Sequence, residues 1–210
     1  MKKKHIIFDF DGTIFDSNRV IVASWQEVFR HYTGKEGRVE DIYHTFGETI
    51  RYTVKKFFPQ ANVDEAVQIY RNYQQAHYDG MVGLFDGTRE MMDRMVEGGH
   101  TLSVVTSRTK VTTLNYMKEL GIRDYFDVLI TCDARTSISR IPPHCAWRWR
   151  SFPRNRRTPS CWGDTKFDIG CCNNAGVDSI LVGWSHDIDE NELKELGFRR
   201  RTGWRHRRTC

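Results

Sequence analysis

His5-Ile6-Ile7-Phe8 is a short apolar run that stops at Asp9 and is followed by Gly12 and Thr13, the pattern of a buried strand passing into a turn. Over 17–32 the residues Val20, Ile21, Ala23, Ser24, Val28 and Phe29 recur at helical spacing, with Ser17 placed as an N-cap. Residues 40–58 and 63–78 predict two or three further helices with no strand between them. Beyond them the periods alternate. A helix over 88–96 closes at Gly98-Gly99, a strand over 101–105 ends at Thr106, a helix over 110–120 stops at Gly121, and a strand follows over 127–131. The later part predicts a helix over 167–175 closed by Gly176, a strand over 179–182 and a last helix over 190–196. No clear strand precedes Gly163, and no internal repeat is present.

Strands alternating with helices predict an α/β fold, a doubly wound, Rossmann-like parallel sheet covered on both faces. The all-helical block interrupts it after the first strand and reads as an inserted helical cap domain over 16–85, leaving 1–15 and 86–210 as the core. Segments 12–16 and 83–87 are the expected hinge strands. A chain of 210 residues suffices for one such domain plus a small insertion, and 39% apolar residues exclude wholesale disorder. The longest apolar runs are about five residues, too short for a membrane span. Met1-Lys2-Lys3-Lys4 has the charge of an export signal, but Asp9 and Asp11 break the apolar stretch behind it, so a cytoplasmic location is expected.

The formal charge of +5 suggests nucleic acid until its distribution is read. Seven arginines lie over 135–157 and six over 199–208; without those 13 residues, 19 basic groups face 27 acidic ones. No Asp or Glu occurs between Asp133 and Asp164 or after Glu195. The same stretches hold Trp147, Trp149, Trp162 and Trp204 and four of the five prolines. Two segments are thus foreign in composition to an otherwise acidic chain. The six cysteines have no framework spacing and read as free thiols.

In a parallel α/β sheet, ligands bind outside the carboxyl ends of the strands. Asp9 and Asp11 follow the first strand, Thr106 and Ser107 the second, and Asp164 and Asp168 precede the penultimate helix. Carboxylates gathered at one edge repel one another unless a cation neutralises them, and hard oxygen ligands suit Mg²⁺. Each acid alone has a plainer reading: an Asp after a strand caps a turn, Asp168 is a helix-surface acid, and Ser107 caps the next helix. His144, Cys145, Cys161, Cys171 and Cys172 match no standard zinc spacing.

Asp9-Phe10-Asp11-Gly12-Thr13 at a strand end resembles the first motif of the haloacid-dehalogenase-like hydrolase superfamily. Thr106 after an apolar strand is similar to its second motif, and Gly163-Asp164-Thr165-Lys166-Phe167-Asp168 to its fourth. The helical insertion is similar to that of the phosphoglycolate-phosphatase-like branch and of the bacterial pyrophosphatases within it. The resemblance implies a Mg²⁺-dependent phosphohydrolase acting on a small phosphorylated substrate. It makes Asp9 the nucleophile that forms an aspartyl-phosphate, and Asp11 the acid and base. It has Thr106, with Gly12 and Ser107 beside it, hold the substrate's phosphoryl oxygens. Mg²⁺ would be bound by Asp9, Asp164 and the Asp11 carbonyl oxygen, with Asp168 supporting them. The cap would close over the site and choose the substrate, with Arg19, His44, Arg51 and Tyr52 within the residues able to reach it. A phosphosugar mutase keeps the same two aspartates, and a catalytically impaired protein binding RNA through Trp147-Arg148-Trp149-Arg150 and its neighbours is the remaining alternative. Neither a membrane nor a nucleic-acid partner is expected; a monomer or homodimer is.

The family's third motif, a Lys usually followed by Pro, is missing: no Lys lies between Lys118 and Lys166. Arg140 stands near its expected position, but a planar guanidinium does not replace an ammonium without change. Residues 134–162 read as a shifted reading frame. Codons compatible with 139–162 can be chosen so that another frame gives a Lys-Pro turn, an amphipathic helix and an apolar strand leading into Gly163-Asp164. Residues 199–210 can be shifted likewise. The gene's nucleotide sequence decides this, and taken literally the chain is expected to lack a helix, a central strand and the cationic group, and to be impaired as a phosphatase.

Overall fold

The computed structural model describes residues 5–133, 160–186 and 190–195. The chain divides into two compact units, Met1–Ile14 with Leu84–Cys210, and Phe15–Gly83.

The first unit is built on a five-stranded sheet in the order β5-β4-β1-β6-β7, formed by β1 (His5–Phe8), β4 (Thr101–Val105), β5 (Phe126–Ile130), β6 (Ser160–Gly163) and β7 (Asp178–Leu181). Every pairing is parallel. β1 lies at the centre, and all four of its residues are buried, as a continuous apolar run on a sheet covered on both faces requires. The polar member, His5, is satisfied by Ser103 on β4, with Nε2 and Oγ 2.9 Å apart. Helices α5 (Thr88–Glu97), α6 (Lys110–Glu119) and α7 (Lys166–Ala175) connect the strands, and α8 (Glu190–Glu195) follows β7. α7 ends at Gly176, whose φ of 66° is the left-handed cap glycine accepts without cost.

β6 corrects the sequence reading, which finds no strand before Gly163 and expects the central strand to be lost. Ser160–Gly163 pairs with β1 on one side and β7 on the other. A ladder is made by backbone amides, so a segment without an apolar run can still fill the slot when both neighbours are in place. Trp162 sits there against Phe8, ring centroids 5.7 Å apart, but its indole N–H is buried with no partner among the described residues. The rest of the segment read as frame-shifted, residues 134–159, and residues 199–210, lie outside the described residues, so the strand does not bear on the reading frame.

The second unit holds α1 (Asn18–Thr33), α2 (Val39–Tyr43), α3 (Ile50–Phe57) and α4 (Val63–Ala76). Trp25 and Val28 of α1, Ile42, Phe46, Val54, Phe58 and Tyr70 form its own buried core, with the Trp25 and Tyr70 rings 5.0 Å apart. Ser17 stands at the N-cap of α1 without a side-chain cap bond, whereas Asn62 caps α4 by accepting from the backbone of Asp64 and Glu65. Two-residue strands β2 (Phe15–Asp16) and β3 (Gly83–Leu84), where the chain passes between the units, pair with each other. Among the described residues no helix is long and apolar enough to cross a membrane.

Candidate active site

The register of the sheet sets the candidate residues at one edge. Asp9 N–H donates to the Trp162 carbonyl at 2.8 Å, continuing the β1–β6 ladder one residue past Phe8. On the other side Thr106 N–H donates to the Ile130 carbonyl at 2.9 Å, carrying β4 beyond its last residue. Phe8 is level with Val104 and Trp162, so Thr106 and Asp164 each lie two residues past a partner of Phe8, flanking the turn that begins at Asp9.

Three of the acids meet there. Carboxylate oxygens of Asp9, Asp164 and Asp168 all lie within 4.8 Å of one another. Asp164 is buried and Asp9 half-buried. Burial, followed by the negative charges of Asp168, Asp164 and Asp11, pushes the Asp9 carboxyl well above its ordinary value, against a hydrogen bond from the Phe10 backbone. Burial and Asp168 push Asp164 up likewise, against a hydrogen bond from Thr13. An all-oxygen set with this much uncompensated negative charge fits a hard divalent cation.

The support of this cluster is specific. Thr13 Oγ1 donates to Asp164 Oδ1 at 3.2 Å. Gly12 has φ 76°, and a Cβ there would lie 2.1 Å from Asp164 Oδ2, so the turn tolerates no side chain. Gly163 is equally constrained: a Cβ would fall 2.2 Å from that of Asp168. Asp168 is more than a helix-surface acid. Its Oδ2 accepts from Thr165 N–H at 3.0 Å and Thr165 Oγ1 at 2.7 Å, closing a capping box on α7 that fixes its carboxylate. Trp184 Nε1–H donates to the Gly12 carbonyl at 2.9 Å, and its ring stacks on Phe85 with centroids 4.7 Å apart.

Asp11 is elsewhere engaged. Its carboxylate is gripped by Arg108, with Nε–H donating to Oδ2 at 2.9 Å and an Nη2–H to Oδ1 at 2.5 Å. The guanidinium packs over the Tyr116 ring, 4.7 Å from its centroid, and the Arg108 N–H donates to Thr106 Oγ1 at 3.1 Å. Sequence reading passes over Arg108; the available signal is a cation two residues beyond Thr106, in a turn at the ligand-binding edge. Of the other candidates, Thr106 is fully buried and Ser107 exposed. Ser107 does not cap the next helix, because α6 has Thr109 at its N-cap. Arg140 lies outside the described residues, as do His144, Cys145 and the tryptophan-arginine stretch. Among the described residues, Cys132, Cys161, Cys171 and Cys172 form no disulfide.

The sequence profile of the haloacid dehalogenase-like hydrolases matches residues 6–182. The chain belongs to that family. Among its curated relatives is a protein described as pyrophosphatase PpaX from Halalkalibacterium halodurans, 28% identical, with 88% of this chain and 86% of that one aligned. Two solved structures share the fold. A haloacid dehalogenase-like hydrolase from Streptococcus pneumoniae superposes with a TM-score of 0.75 at 22% identity, covering 92% of this chain and 90% of its own. A predicted phosphoglycolate phosphatase from Haemophilus somnus superposes with a TM-score of 0.68 at 18% identity, covering 88% and 87%.

Proposed function

We propose that this haloacid dehalogenase-like chain is a Mg²⁺-dependent phosphohydrolase of small phosphorylated substrates. The observation that carries the reading is the convergence of Asp9, Asp164 and Asp168 carboxylates within 4.8 Å at the carboxyl edge of the sheet. The curated relative described as a pyrophosphatase supports a phosphoryl substrate, with a phosphomonoester or an anhydride as the bond cleaved.

Asp9, Asp164 and the Asp11 carbonyl would hold Mg²⁺, with Asp168 beside them. Bound there, the ion neutralises charge on the transferring phosphoryl group. The Asp9 carboxylate attacks phosphorus and the bond to the leaving oxygen breaks, giving an aspartyl-phosphate at Asp9. Asp11 protonates the leaving oxygen, then takes a proton from the water that attacks the same phosphorus and regenerates Asp9. Thr106 holds a phosphoryl oxygen. The helical insertion, residues 15–83, is read as the cap that selects the substrate. Without a lysine in the third-motif region, turnover by this chain is expected to be low for its family.

Phosphate release from pyrophosphate, phosphoglycolate and sugar phosphates, with Mg²⁺ or with chelator, tests the reading. Release should need Mg²⁺ and fall by at least about 10⁴ in Asp9→Asn, as for loss of a nucleophile. Release that persists in Asp9→Asn, or transfer between sugar hydroxyls without release, contradicts it.

A further inference from the structure

The chain places a second anion-binding group beside the acid cluster, and it is occupied by the chain's own carboxylate. Arg108 uses Nε and Nη2 in a fork on both oxygens of Asp11, the geometry in which a guanidinium also takes phosphate or another carboxylate. Its plane is fixed from one side by Tyr116. Its backbone is tied to Thr106, the residue read as holding the transferred phosphoryl group. The pair is largely withdrawn from water, with side chains 13% and 22% exposed, so it is neither weakened by full solvation nor closed to a ligand.

This arrangement conflicts with the role of Asp11 in the proposed reaction. A carboxylate with both oxygens bound to a guanidinium is held in the orientation the guanidinium sets, not the one a leaving group would set. To act, Asp11 must leave Arg108, and a buried guanidinium left without an anion is costly. A substrate carrying a second anionic group next to its transferable phosphoryl group removes that cost by taking the place of Asp11.

Resting on the phosphohydrolase reading, we infer that Arg108 is the specificity-determining residue of the site. It exchanges Asp11 for the non-transferred anionic group of the substrate, a second phosphate or a carboxylate, and so releases Asp11 for proton transfer only when such a substrate is bound. Substrates with a neutral leaving group leave the Arg108–Asp11 pair closed. The favoured class is therefore phosphoric anhydrides and phosphate esters of small hydroxy acids, over phosphate esters of neutral alcohols and phenols.

The test compares methylenediphosphonate, which carries a second anion, with methylphosphonate, which does not. Binding of each to the full-length protein in Mg²⁺ is measured by calorimetry. The wild-type chain should bind the diphosphonate at least about tenfold more tightly, the scale of one charge-assisted contact. Arg108→Ala should lose that preference, Arg108→Lys should keep part of it, and Asp11→Asn should bind the diphosphonate several-fold more tightly than wild type, because the competing carboxylate is gone. The last sign is one a merely structural Arg108 would not produce. In turnover, Arg108→Ala should raise KM for pyrophosphate more than for p-nitrophenyl phosphate. An unchanged preference in Arg108→Ala, an equal loss for both ligands, or weaker diphosphonate binding by Asp11→Asn overturns the exchange while leaving the hydrolase reading intact. Failure of both ligands to bind the wild-type chain, with no phosphate released from any substrate, overturns both.

Discussion

Gly12 and Asp164 are packed so closely that a methyl group on the first would lie 2.1 Å from a carboxylate oxygen of the second. The turn after β1 and the carboxylate after β6, 151 residues apart at Thr13 and Asp164, are thereby fitted to each other and joined by the Thr13 hydroxyl. Gly12→Ala must both adopt φ 76° and displace Asp164. The left-handed backbone alone costs about 1–2 kcal/mol. We expect a lower melting temperature in chelator and at least a tenfold loss of Mg²⁺ affinity, about the effect of losing a group that orients a metal ligand. Unaltered Mg²⁺ affinity by titration calorimetry would refute this fit.

Asp9 and Asp164 make the metal-free protein sensitive to pH in an unusual direction. Their carboxyls are raised in the folded chain, so folding takes up protons the unfolded chain has lost. The stability they contribute is complete below the ordinary carboxylate range and is lost as pH rises through their raised values. In chelator, the melting temperature should fall from about pH 5 to about pH 8, the interval above an ordinary aspartate. Mg²⁺ should reduce the fall, because it binds the ionised carboxylates. Asp9→Asn should flatten the profile in chelator. A chelated protein whose stability rises over this interval, or an equal slope in Asp9→Asn, argues against the shifts.

Asp168 serves a helix and a cluster at once, and two substitutions separate the roles. Asp168→Asn retains an oxygen to accept from Thr165, whereas Asp168→Ala loses the cap, at about 1 kcal/mol. Urea unfolding in chelator should therefore separate Ala from Asn by about that amount. Both variants should lose Mg²⁺ affinity alike, since both lose the charge. Full affinity in Asp168→Asn would remove Asp168 from the metal-binding set.

The helical unit carries its own core, so damage to it should stay local. Trp25→Ala opens the space against Tyr70, and large aromatic-to-alanine changes in a core cost about 3–5 kcal/mol. Hydrogen exchange should lose protection over 18–76 first and leave β1 and β4 protected. Equal loss in both places would contradict separate cores.

The sequence makes legible whatever is locally encoded. β1 is an apolar run ending at an acid, α7 ends at a glycine, and the acids after β1 and before α7 fall where a parallel sheet presents its ligand edge. β6 is not legible, because Ser160-Cys161-Trp162-Gly163 has no run of its own and takes its conformation from β1 and β7. The Arg108–Asp11 pair is not legible either. It joins residues 97 apart, and nothing in the spacing of TSRTK tells a cation that grips a carboxylate from one that faces water. Gly163 reads as part of a motif, but only the neighbouring Asp168 Cβ gives the reason no other residue fits.

The most direct test of the account is chemical trapping of the phosphoryl group on Asp9. The protein is mixed with Mg²⁺ and pyrophosphate or phosphoglycolate, quenched in acid, and reduced with borohydride, which converts an acyl phosphate of aspartate to homoserine. Peptide sequencing by mass spectrometry should find homoserine at position 9 with substrate and only aspartate without it. Phosphate release with position 9 unmodified, or homoserine at Asp11, Asp164 or Asp168 instead, would contradict Asp9 as the residue that accepts the phosphoryl group.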